Sequence, residues 1–83
     1  IAAGTALGLS EAVARQMTLQ TALGAAHMAI TSDLGPAELR RRVTSPGGTT
    51  ERALEIFEQA ELREVFGKAL KGAYDRSKEL AAG

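Results

Sequence analysis

The chain of 83 residues contains no cysteine and no tryptophan, and its ten basic and ten acidic side chains cancel. Without cysteine, neither a disulfide nor a thiolate metal site can form, and a cytoplasmic setting is the natural expectation. Zero net charge argues against a general nucleic-acid binder, which needs an excess of lysine and arginine. Long apolar runs are missing too. Arg15, Gln16, Gln20 and His27 interrupt every window of about 18 residues in the apolar first third, so no membrane span is expected. There is no basic segment ahead of an apolar core at the N-terminus, hence no signal peptide. Strand-like alternation, internal repeats and low-complexity tracts are absent. The chain starts without methionine inside an alanine-rich run, which reads as a piece of a longer protein.

What is present is helical periodicity. Ile1 to Leu7 reads as the tail of a helix closed by Gly8. Ser10 is a suitable N-cap for a long helix from Glu11 to Thr31, with Glu11 in its first turn. Apolar residues surround most of that helix, the mark of a buried one. Gly24, Ala25 and Ala26 are small enough to let another backbone approach. Gly35-Pro36 opens a short helix to about Val43, with proline where its missing N–H costs nothing. Helices follow over Thr49–Ala60 and Leu62–Ala81. The last shows a stripe of Leu62, Val65, Phe66, Ala69, Leu70, Ala73 and Leu80 at 3–4 spacing. The class is all-α, with four to five helices in one small domain. A chain this short buries only about 60% of its unfolded surface, which favours a dimer. Residues 1–35 carry only three of the twenty charges, Glu11, Arg15 and Asp33, so this third is expected to be the more buried part.

One stretch, Thr44-Ser45-Pro46-Gly47-Gly48-Thr49-Thr50, has neither charges nor aliphatic side chains. A simple helix–helix link needs about two to five residues. Pro46 stops one helix. Gly47 and Gly48 permit unusual dihedrals and let a ligand approach the backbone. Thr49 and Thr50 open the next helix, whose first N–H groups lack internal partners and sit at the positive end of its dipole. That is the recipe for an anion site, with hydroxyls of Ser45 and Thr50 alongside. Without lysine or arginine in the loop, a small carboxylate suits it better than a triphosphate, and the P-loop spacing is absent. On these residues alone, a ligand loop and a plain glycine-rich cap both stand.

The segments QTALGAAHM (20–28), LRRRVTSPGGTTERAL (39–54) and YDRSKEL (74–80) occur in this order. Together they resemble the C-terminal domain of the pyrroline-5-carboxylate reductases, the last enzymes of proline biosynthesis, over essentially all 83 residues. The resemblance implies an intertwined, domain-swapped homodimer that in many members assembles further. It implies that residues 1–83 are the dimerisation and substrate-binding domain of an NADPH- or NADH-dependent oxidoreductase. It also implies that N–H groups of Gly48 and Thr49, with the Ser45 hydroxyl, hold the carboxylate of pyrroline-5-carboxylate. Gly47 belongs to the same substrate-binding set. Thr50 would be the catalytic residue, its hydroxyl at the ring nitrogen. The chain has no dinucleotide fingerprint and no βαβ unit. No cofactor is therefore expected to bind this chain, and alone it is expected to be inactive.

The remaining polar residues carry blander readings. His27 has no sequence partner and reads as a surface or packed histidine. Arg40, Arg41 and Arg42 read as a solvated face paired with Glu38. Glu55, Glu58, Glu61 and Glu64 read as a solvated face, so no metal site is expected. Thr18, Gln20 and Thr21 either bond across a dimer or line the substrate side. Two rival functions stand beside the reductase domain: a stand-alone or engineered helical homodimer without a ligand, and, last, a helical nucleic-acid binder using the arginine run. No nucleic-acid or membrane partner is expected.

Overall fold

The computed structural model describes all residues, 1–83. Five helices follow one another: α1 (Ala2–Ala6), α2 (Glu11–Thr31), α3 (Pro36–Arg42), α4 (Thr49–Gln59) and α5 (Leu62–Ala82). There is no strand. The chain divides into two compact units, Ile1–Arg42 and Val43–Gly83.

In the first unit the chain turns between α1 and α2 at Gly8, whose φ of +107° lies in the region open mainly to glycine. Leu9 N–H donates to the Gly4 carbonyl at 3.1 Å and tightens the turn. The Ser10 hydroxyl then accepts from the Val13 N–H at 3.2 Å, the N-cap bond that starts α2. Gly4 lets α1 lie close on α2. A Cβ built on Gly4 would stand 3.2 Å from the Ala14 Cβ, so a larger residue would push the two apart. α2 ends at Ser32, whose backbone turns extended and whose hydroxyl accepts from the Leu34 N–H at 3.0 Å. Pro36 opens α3, and the N–H groups of Glu38 and Leu39 both donate to the Gly35 carbonyl at 3.1 Å.

In the second unit α4 and α5 pack together and are joined by Ala60 and Glu61. Glu61 adopts a left-handed conformation (φ 57°, ψ 46°), the one non-glycine residue to do so. Arg63 pairs with Glu58 across this joint at 3.3 Å.

Neither unit has an apolar core of its own. Ala14 is the single buried residue. The expectation that α2 is buried is not met within one chain: Leu23 is 64% exposed and Ile30 82%. On α5 the apolar stripe is equally bare, with Phe66 and Leu70 each 64% exposed. The apolar residues on α2 surround the helix, and one short neighbour, α1, covers only the strip beside Ala14. Apolar surface on this scale requires cover from outside the chain, since its burial is the main favourable term in folding.

Candidate functional site

The glycine loop lies wholly within the second unit. Ser45, Pro46, Gly47 and Gly48 form a tight turn, in which the Gly48 N–H donates to the Ser45 carbonyl at 2.9 Å. Proline in the second place and a glycine with φ +71° in the third is the pattern of a type II turn. Gly48 then extends (φ −87°, ψ 177°) and becomes the N-cap of α4. Its lack of a side chain matters twice. A Cβ here would stand 3.0 Å from the Ser45 carbonyl oxygen, a tight contact that the turn would have to open slightly to relieve. A glycine N-cap also brings no side-chain oxygen to satisfy the first helical N–H groups, and none is supplied from elsewhere.

The first bond into the helix backbone is from Arg52 N–H to the Gly48 carbonyl, at 3.2 Å. The N–H groups of Thr49, Thr50 and Glu51 precede it. They converge at the positive end of an 11-residue helix and remain available to an acceptor. Thr49 and Ser45 are exposed, and Thr50 is half-buried. The turn thus gathers Ser45, Gly47, Gly48, Thr49 and Thr50 within six consecutive residues. The structure also assigns the N–H groups unequally. That of Gly48 is committed to Ser45 within the turn, which leaves those of the first helical turn, Thr49, Thr50 and Glu51, as the open donors.

One participant was not singled out from the sequence. The Glu51 carboxylate reaches back and accepts from the Gly47 N–H through Oε1, at 3.0 Å. Its signal was the spacing Gly48-x-x-Glu51, a capping-box interval with glycine in the cap position. In the usual box the glutamate would bond the N-cap N–H. Here Ser45 occupies that donor, and the glutamate takes the one before it.

The other polar residues have ordinary partners. Glu38 pairs with Arg41 at 2.7 Å and with Arg42 at 3.6 Å, as expected for a solvated face. Glu55 pairs with Arg52 at 3.2 Å. His27 is exposed, and its carbonyl accepts from the Thr31 hydroxyl at 2.9 Å. No group of side chains stands close enough together to hold a metal ion, and no helix is long and apolar enough to cross a membrane. An open groove of about 470 Å³ runs along α2, lined by Gly4, Ala14, Thr18, Thr21 and Ala25 among others. The Thr18 hydroxyl donates to the Ala14 carbonyl at 2.8 Å, and none of the lining residues is charged. The chain is all-helical and has no βαβ unit, the usual cradle for a dinucleotide.

Comparison with known proteins identifies the family of the chain. The family model described as pyrroline-5-carboxylate reductase dimerisation matches residues 1–80. The pyrroline-5-carboxylate reductase of Pseudomonas aeruginosa is 56% identical over 79 residues, covering 95% of this chain and 29% of that protein. The enzyme of the same name from Synechocystis is 39% identical over 77 residues, covering 93% of this chain and 29% of that protein. Among solved structures, a Coxiella burnetii pyrroline-5-carboxylate reductase superposes with a TM-score of 0.88 at 50% identity, over 94% of this chain and 29% of the other. The Plasmodium falciparum pyrroline carboxylate reductase, crystallised with NADP bound, gives a TM-score of 0.89 at 32% identity, over 92% of this chain and 31% of that one. This chain therefore spans about 29% of the length of the relatives it matches.

Proposed function

This chain belongs to the pyrroline-5-carboxylate reductase dimerisation family, and from that premise we propose that residues 1–83 are the C-terminal, substrate-binding and dimer-forming part of such a reductase. The complete enzyme would reduce 1-pyrroline-5-carboxylate to L-proline at the expense of NADPH or NADH, in the cytoplasm where these cofactors circulate. Its cofactor-binding part is an N-terminal Rossmann domain outside this chain. Two copies associate and cover the apolar faces that each leaves bare; dimers of this kind can associate further.

Within that enzyme the loop seats the substrate carboxylate. A single observation carries this reading: the first N–H groups of α4 converge behind a glycine N-cap and no side chain caps them. The carboxylate accepts from the Thr49 and Thr50 N–H groups and the Ser45 hydroxyl, at the positive end of the helix. Gly47 and Gly48 keep the approach free of side chains. With the carboxylate held, the ring nitrogen falls near the Thr50 hydroxyl. That hydroxyl donates to the nitrogen lone pair, orients the imine, and assists delivery of the proton that the nitrogen gains as the C=N bond becomes C–N–H.

Thr50→Val in the complete reductase tests the assignment, because valine keeps the shape and loses the hydroxyl. The expected result is a fall in kcat of about tenfold or more with little change in melting temperature. Activity and thermal stability falling together would assign Thr50 to the fold instead.

A further inference from the structure

Resting on the reading of this loop as a carboxylate seat, we propose that Glu51 is a positioning residue of the substrate site, which holds the seat in shape through the Gly47 N–H. The bond from Gly47 N–H to Glu51 Oε1 is 3.0 Å. It ties the third residue of the turn to the first turn of α4. Gly47 is the residue in the left-handed region, and Gly48 follows it directly into the helix. A glycine pair has the largest freedom to lose on ordering, so a turn built on Gly47-Gly48 needs an external restraint to present its donors in one arrangement. The Ser45 carbonyl restrains Gly48 from one side. Glu51 is half-buried and restrains Gly47 from the other. No arginine or lysine pairs with Glu51, whereas Glu38, Glu55, Glu58 and Glu79 all have cationic partners.

The placement has an electrostatic consequence. A carboxylate in the first helical turn is favoured by the dipole, yet here it lies beside a seat for a second carboxylate. Like charges oppose each other, so the charge of Glu51 works against substrate binding while its oxygen works for it. Only the acceptor oxygen is needed for positioning.

The test uses the complete reductase and two substrates, 1-pyrroline-5-carboxylate and the uncharged 1-pyrroline that lacks the carboxylate. Glu51→Ala is expected to raise KM for the carboxylate substrate roughly three- to tenfold, the range for loss of one ordering hydrogen bond. Its kcat, and KM for 1-pyrroline, should stay within about twofold. Glu51→Gln retains an acceptor oxygen without the charge and should keep KM for the carboxylate at or below the parent value. Gly47→Ala strains the φ of +71° from the other end of the same bond and should reproduce the Glu51→Ala pattern. An unchanged KM in Glu51→Ala, an equal rise for both substrates, or a Gln variant as impaired as the Ala variant would each overturn the role of Glu51 while leaving the seat itself standing. A parent enzyme that does not prefer the carboxylate substrate over 1-pyrroline would remove the seat, and the proposal with it.

Discussion

Two residues in the second unit share the left-handed region of backbone space, and they differ in what that means. Gly47 adopts it without a steric penalty, and its turn presents the donors of α4. Glu61 adopts it with a Cβ, at a joint of only two residues between α4 and α5. The conformation costs an L-residue about 1–2 kcal/mol, part of which glycine would give back through its freedom in the unfolded chain. Glu61→Gly should therefore stabilise the protein by about 0.5–1 kcal/mol, read as a rise in the denaturant midpoint without change in slope. Nothing in the sequence around Glu61 announces this backbone, since the usual glycine of such a joint is absent. Gly47 was easier to foresee because a Pro-Gly pair signals a turn by its own chemistry.

At the scale of the element, the helices begin and end where local punctuation places them. Ser10, Gly35-Pro36 and Gly48 mark starts, and the observed limits lie within a residue of the expected ones. The long helix matches at both ends, Glu11–Thr31. The short helix stops at Arg42 rather than Val43, and α5 runs to Ala82 rather than Ala81. Differences of that size reflect frayed last turns. Caps are legible because they act over three or four residues. The strength of one can be measured: Ser10→Ala removes the acceptor for Val13 N–H and should cost about 1 kcal/mol in thermal or chemical unfolding. The α4 cap was only half legible. Its glycine and its glutamate are visible in the sequence, but the choice of Gly47 as the partner of Glu51 arises because Ser45 has already taken the Gly48 N–H. That competition is decided in three dimensions.

For the whole molecule the controlling fact is bare apolar surface. Met17 and Leu19 on α2, and Val65, Phe66 and Leu80 on α5, are all more than half exposed. A chain with one buried residue lacks the apolar burial that offsets the entropy of ordering some eighty residues. Self-association supplies it, consistent with membership of a dimerisation family. The expected sedimentation at micromolar concentration is that of a dimer, with a melting temperature that rises with protein concentration as mass action requires. A monomer with a concentration-independent melting temperature would contradict this.

The sequence by itself determined the all-helical class, the placement of five helices, the family and the glycine–proline loop that leads into α4. Those features follow from periodicity, caps and glycine–proline chemistry, which operate between near neighbours in the chain. Tertiary structure decided which of the loop's N–H groups are open, how the Glu51 carboxylate is used, and how little of the apolar surface one chain covers. These depend on the reach of side chains across a turn and on contacts between whole helices, where several local preferences compete and only one arrangement can satisfy the same donor.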